Sequence, residues 1–243
     1  MAALPSRDRI NPGFSKARDE SHRAFCKSGP HPLKINGGIL LVALRAKLFD
    51  HFPMNLELHS ERLVLTPFTP DDLDLSLQLW TDPAVLRYAG KAMSESAIRK
   101  CMPKWTRRGG NGCIGIWTIS DRKTREKYGS VALLPMPIEN SETDYSSLIP
   151  GEMPDADIEV GYFLKRSAWG CGYATEACRR LLQFAFEESP LKEVVATFHK
   201  DNQPSRNVLQ KAGFTDRGTM QCYGDVGVNF RITREEWLKL QSN

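Results

Sequence analysis

No apolar run in the 243-residue chain is long enough to cross a bilayer. The longest apolar-leaning stretch, Ile39 to Leu44, falls far short of the roughly 20 residues a spanning helix needs and runs straight into Arg45. A secretory pattern is missing too, because 38 mixed residues with acids and prolines precede that stretch. A cytoplasmic protein is therefore expected. The six cysteines (Cys26, Cys101, Cys113, Cys171, Cys178, Cys222) form no C-x-x-C pair, and no His-x-His or His-x-x-x-His cluster accompanies them. That argues for reduced thiols and against a metal site. The body of the chain also lacks a charge of one sign. Residues 1–56 carry nine Lys or Arg against four Asp or Glu, and the rest is nearly balanced at net −1, so the overall +4 belongs to the N-terminal segment. A folded body without basic excess gives no charge-based case for nucleic-acid binding. With 41% hydrophobic and 26% charged residues, what remains is ordinary globular composition and not a disordered chain.

The chain divides near residue 55. Asn11-Pro12-Gly13, Ser28-Gly29-Pro30 and Gly37-Gly38 interrupt any period in the first part, where only Ile39 to Phe52 reads as a short amphipathic helix. Residues 1–55 are expected to be a poorly structured basic extension. Three origins stay open: a flexible arm, a partner-binding segment, or upstream sequence with Met54 the true start. Residues 56–243 carry the domain. Arg62 to Phe68 alternates as a strand, and Thr69-Pro70-Asp71-Asp72 opens a helix with the apolar spacing Leu73, Leu77, Trp80. A second helix is predicted from Ser94 to about Arg107, then strands Cys113 to Ser120 and Gly129 to Leu134. A proline-rich loop covers residues 135–157. Beyond it the pattern gives strand Ile158 to Leu164, helix Ala174 to Phe186, strand Glu193 to Phe198 and helix Pro204 to Ala212. A strand pair around Gly224-Asp225 follows, then a helix opened by the capping box Thr233-x-x-Glu236. The expected fold class is α/β (α+β): a mixed, mostly antiparallel central sheet with helices on both faces. No internal repeat is visible.

Chemistry concentrates between Asp157 and Ala177, a strand followed by a two-glycine loop and a helix. Glycines ahead of a helix N-terminus let backbone N–H groups approach an anion, and the helix dipole adds about half a positive charge there. The Gly-Lys-Ser/Thr of a Walker loop is missing, and a dinucleotide fingerprint would need a third glycine where Thr175 stands. A plain turn is the bland alternative.

Trp169-Gly170-Cys171-Gly172-Tyr173-Ala174, with Asn202-x-x-Ser205-x-x-Val208-Leu209-x-Lys211-Ala212-Gly213-Phe214 downstream, resembles the GNAT acetyltransferase superfamily, nearest its RimJ/RimL-like branch. The likeness spans residues 57–240, from Glu61-Arg62-Leu63-Val64-Leu65 to Glu235-Glu236-Trp237, with Trp169 where the wider family has Gln or Arg. It implies an acetyl-CoA-dependent N-acetyltransferase acting directly on a primary amine of a protein N-terminus or small molecule, with no metal. Backbone N–H groups of Cys171 to Thr175 would hold the pyrophosphate. The main chain of Val160, Gly161, Tyr162, Phe163 and Leu164 would pair with the pantetheine arm, and a carbonyl-activating N–H would lie near Val160 or Gly161. Asn202 would bond the pantetheine and cap its helix. Where many relatives carry a tyrosine acid this chain has Leu209, so the Ser205 hydroxyl, or else water, would protonate the leaving thiolate. Glu159, facing the same way as Gly161 and Phe163, is the candidate base, with His199 its rival. Cys171 is expected to be a bystander, and Trp80, Tyr88, Trp105 and Trp117 either line the acceptor pocket or pack the core. Between Met136 and Leu164 stand seven acids (Glu139, Glu142, Asp144, Glu152, Asp155, Asp157, Glu159) and no Lys, Arg or His. They are either a solvated loop or a means of gathering a cationic acceptor. A catalytically silent acetyl-CoA-binding or partner-binding module is the rival function. The oligomeric state cannot be read from these residues.

Overall fold

A computed structural model of the chain describes residues 54–138 and 140–242. The basic extension, with its possible short helix, lies outside the described residues apart from Met54 and Asn55, as does Glu139. Eight strands form one sheet: β1 (Leu58–His59), β2 (Leu63–Pro67), β3 (Gly115–Asp121), β4 (Lys127–Pro135), β5 (Ile158–Leu164), β6 (Glu193–Phe198), β7 (Thr215–Cys222) and β8 (Asp225–Thr233). Their order is β1-β2-β3-β4-β5-β6-β8-β7, and every neighbouring pair is antiparallel except β5 and β6. The helices are α1 (Leu73–Trp80), α2 (Glu95–Trp105), α3 (Tyr173–Gln183), α4 (Gln203–Lys211) and α5 (Arg234–Gln241).

Two adjacent residues of β5 show how the layers lie. Neighbours along a strand point to opposite faces. Phe163 packs on Trp80, with ring centres 4.6 Å apart, and Trp80 lies 5.2 Å from Trp105, so α1 and α2 cover the Phe163 face. Tyr162 meets Ser205 of α4, and Trp117, which shares its face through Val131, meets Phe184 just after α3. Trp117 is fully buried on this second face and belongs to the core rather than to an acceptor pocket on the first.

Local rules explain the elements, with a few differences. Thr69 and Asp72 close the first turn before α1, the Thr69 N–H donating to Asp72 Oδ2 at 2.8 Å. Leu75, Leu79 and Trp80 are the buried stripe of α1, whereas Leu73 and Leu77 are half-buried against the same core. The segment has a leucine at every second position, so two stripes compete and tertiary packing chooses between them. The helix expected to run to Phe186 ends at Gln183 and widens into a π turn over Phe184–Glu188, whose Phe184, Ala185 and Phe186 are buried. The capping box at α5 forms, with the Thr233 N–H on Glu236 Oε2 at 2.8 Å and the Glu236 N–H on Thr233 Oγ1 at 3.2 Å. The loop after β4 is not wholly solvated. Met136, Thr143, Tyr145 and Leu148 are buried, and a short 3-10 turn, Tyr145–Ser147, sits within it.

Candidate active site

The site begins with a break in the sheet. β5 and β6 run parallel yet share a single ladder pair, Glu159 with Val195. Every residue of β5 from 158 to 164 except its β6-facing edge is otherwise accommodated, because the whole strand pairs with β4 from Ile158–Pro135 to Leu164–Gly129. Antiparallel alternation spends the main chain of Gly161 and Phe163 on β4 and turns that of Val160, Tyr162 and Leu164 toward β6, where no ladder pair follows Glu159. Apart from the Leu164 carbonyl, which has a side-chain donor, this edge suits an extended polar chain.

At the end of β5 the chain turns through the glycine loop into α3. Trp169, half exposed, fixes the loop to the strand by donating its Nε1–H to the Leu164 carbonyl at 2.9 Å. Gly170 and Gly172 take φ of +74° and +81°, values that L side chains adopt only at a cost. The first bond of α3 runs from the Glu176 N–H to the Gly172 carbonyl at 3.1 Å. The N–H groups of Cys171, Gly172, Tyr173, Ala174 and Thr175 meet no hydrogen-bond acceptor among the described residues. A run of free donors at a helix N-terminus, on a backbone bare of side chains at its glycines, suits a diphosphate. Cys171 is exposed, and its thiol donates to the Trp169 carbonyl at 3.5 Å.

On the far side of the break stands α4. Asn202 is buried at its N-cap and accepts the Ser205 N–H on Oδ1 at 3.2 Å. The buried Ser205 hydroxyl lies 2.8 Å from the Tyr162 hydroxyl. Burial raises the Tyr162 pKa, so the phenol stays protonated. The Tyr162 hydroxyl also donates to the Ser205 carbonyl at 3.3 Å, and between the two hydroxyls either can be the donor. Strand alternation placed Tyr162 on this face, but only the three-dimensional approach of α4, 43 residues along the chain, brings it to Ser205. Leu209 is fully buried apolar packing.

Glu159 stands at the closed end of the break. It is 1% exposed, and neither carboxylate oxygen finds a hydrogen-bond partner of ordinary geometry, although the Thr197 hydroxyl side of β6 bears on it. Burial pushes its carboxyl up to about 8. Register puts Val195 and Thr197 of β6 on its face, and Asn229 of β8 opposite Thr197. Asn229 is likewise buried with Oδ1 unpaired. Asn229 Oδ1 can only accept, and the Glu159 carboxyl, kept protonated by burial below about pH 8, becomes a second acceptor when it ionises, so an N–H group reaching this spot would suit both. His199, the rival base, is exposed, stacks 5.6 Å from Tyr88 and lies 3.7 Å from Asp201. It does not join Glu159. Several acids of the loop have partners: Asp157 is ion-paired to Arg231 at 2.6 Å, Glu142 to Lys104 at 3.6 Å, and Asp144 accepts from Ser146 at 2.8 Å. Glu152 and Asp155 are exposed with no cationic partner among the described residues. No cluster of three or more His, Cys, Asp or Glu that could hold a metal occurs among the described residues, and no helix there is long and apolar enough to cross a membrane.

The sequence profile of the acetyltransferase (GNAT) domain matches residues 62–215. The chain belongs to the GNAT acetyltransferases. As a GNAT enzyme it is an N-acetyltransferase of a family that uses acetyl-CoA. It is 28% identical over 194 residues to the FsC-acetyl coenzyme A-N(2)-transacetylase of Aspergillus fumigatus, covering 76% of this chain and 79% of that protein. A Bacillus subtilis relative, YdaF, provisionally named a ribosomal N-acetyltransferase, is 38% identical over 86 residues, or 32% of this chain and 46% of its own length. Among solved structures, an acetyltransferase from Agrobacterium tumefaciens superposes with a TM-score of 0.59 at 21% identity, covering 75% of this chain and 96% of that one. The ribosomal L7/L12 α-N-protein acetyltransferase RimL, solved with coenzyme A, gives 0.56 at 17%, covering 74% and 97%. At those identities the two structures speak for the fold, which is the mixed sheet described above.

Proposed function

We propose that this GNAT enzyme moves an acetyl group directly from acetyl-CoA to a primary amine, and that it belongs to the RimJ/RimL-like branch. One observation carries the reading: five consecutive free N–H donors, Cys171 to Thr175, adjoin a strand edge that the sheet leaves unpaired. Acetyl-CoA has a pyrophosphate for the first and an amide-bearing pantetheine arm for the second. Val160, Tyr162 and Leu164 supply the edge, Asn202 the side-chain amide beside it, and Trp169, Gly170 and Gly172 the loop's shape. The thioester supplies an acyl group already activated toward a neutral amine. Glu159, with its carboxyl near 8, takes the proton the amine must lose. Ser205, backed by Tyr162, gives a proton to the departing sulfur.

The acceptor is a primary amine. The relatives' names mention an N(2) position in one and a protein α-amino group in another, and both are amines. Exposed Glu152 and Asp155 support a cationic one. A coupled assay of free thiol release from acetyl-CoA, run with small amines and N-terminal peptides, tests the function. Acceptor-dependent thiol release is expected; CoA binding without release by any amine would instead favour a silent binding module.

A further inference from the structure

The phosphate loop is held from outside by a residue on a different element. Arg62, just before β2, lies 114 positions from Glu176 in the first turn of α3, and the two are joined by several contacts. Glu176 Oε2 accepts from Arg62 Nε at 2.7 Å and is ion-paired to Nη2 at the same distance, while Oε1 accepts from the Arg62 backbone N–H and from Ser60 Oγ, both at 2.8 Å. Partial burial pushes the Glu176 carboxyl up, but these donors outweigh it and hold it below its usual range. The third guanidinium nitrogen, Nη1, donates to the Cys171 carbonyl at 3.0 Å. The face of the guanidinium covers the Tyr173 ring at 4.7 Å, and Tyr173 in turn lies 4.6 Å from Tyr128, nearly parallel at 7°.

The Cys171 contact decides what this bracket does. All described peptides are trans, and a trans peptide points its N–H opposite its C=O. A Cys171 carbonyl turned onto Arg62 therefore aims the Gly172 N–H away from Arg62, where it joins the other unpaired donors. Without that anchor a peptide between two left-handed glycines has little to fix its orientation. Each of the three guanidinium nitrogens has a partner within the protein, so Arg62 is held in this orientation without a ligand. We propose that Arg62 is a positioning residue of the donor site: bound to Glu176 and the Cys171 carbonyl, it orients the loop N–H groups before the pyrophosphate arrives. The inference rests on the acetyl-CoA reading above, and its effect is preorganisation, which raises affinity by lowering the ordering cost of binding.

The test compares two ligands on the full chain by calorimetry: CoA, and pantetheine, which shares the arm but has no pyrophosphate. Arg62→Gln should weaken CoA roughly twofold to fivefold, the upper range for an exposed charge pair, and leave pantetheine unchanged. Arg62→Lys keeps the charge without the two-pronged geometry and should fall between. Glu176→Gln should reproduce the loss, and the double variant should be no worse than either single one, because both cut the same link. An unchanged CoA affinity, or CoA and pantetheine weakening alike, overturns the proposal, the second outcome marking a purely structural role. Should the unaltered chain bind pantetheine and CoA equally, or neither, the donor-site reading itself fails, and this inference with it.

Discussion

Glu159 lets the buried site be interrogated by pH without knowing the acceptor. Its folded pKa is raised from the ordinary 4.5 to about 8. Between those values the folded state keeps a proton that the unfolded chain has released, so folding stability is full below pH 4.5, falls as pH rises, and levels off above 8. A gap of about 3.5 pH units at 1.36 kcal/mol each gives an upper figure of about 5 kcal/mol lost across the window. Water reaching the carboxylate would reduce it. Glu159→Gln is neutral at every pH and close to the acid in shape. It should match the unaltered protein near pH 4.5 and exceed it near pH 8.5, by several degrees of melting temperature for a domain of this size. Thermal unfolding of both proteins across pH 4.5 to 9 checks this. A melting temperature that falls no faster with pH in the unaltered protein than in Glu159→Gln would refute a buried, raised carboxyl. The same titration should appear in catalysis, turnover rising with pH toward 8 and being strongly reduced in Glu159→Gln, since a base works only when ionised.

Three further outcomes follow from the site. Gly172→Val places a branched side chain at φ of +81°, with its Cβ 3.4 Å from Arg62 Nη2; it should abolish the stabilisation that CoA gives the unaltered protein, about 2.7 kcal/mol at 100 times the dissociation constant, read as a melting shift. Ser205→Ala and Tyr162→Phe should each lower turnover by roughly one to two orders of magnitude while leaving acetyl-CoA binding near normal, the pattern of an interaction made mainly in the transition state; unchanged turnover in both assigns the proton to water. Neutralising Glu152 and Asp155 should raise the Michaelis constant for cationic amines and flatten its dependence on salt, with saturated turnover intact; acidic amines that work as well as basic ones would reduce the loop to solvated surface.

What the sequence discloses about this enzyme is local. The bounds of β5 and β6, the glycine loop, the Asn202 cap and the capping box at α5 follow from patterns within a few residues, where periodicity and capping chemistry are decisive. Contacts made by assembly could not be read this way. Arg62 looked like one charged residue in a strand start, and nothing nearby announces Glu176. The Tyr162 hydroxyl was hidden because alternation gives a face but not what covers it. Charge counting could not say which acids of the run are paired, for the same reason: Asp157 sits on Arg231, and Glu142 on Lys104, partners brought from other strands and helices. Net charge in a segment says what must be neutralised or solvated, whereas only the fold says by whom.

The proposed reaction centre is a place where the sheet declines to finish itself. Two parallel strands with one shared pair leave backbone groups of β5 without a neighbour in the middle of an otherwise continuous eight-stranded sheet. Each buried group left unpaired costs on the order of 1–3 kcal/mol. The strand keeps its place because its other edge is fully paired to β4 and its side chains are buried on both faces, from Val160 and Tyr162 on one to Phe163 on the other. Glu159, buried without a full complement of partners, is a second cost at the same spot, and Asn229 Oδ1 a third. These three requirements gather at neighbouring positions of β5 and β8 on one face of the sheet. They become intelligible together if a ligand completes them: an amide-bearing arm along β5, and an amine donating to Glu159 and Asn229.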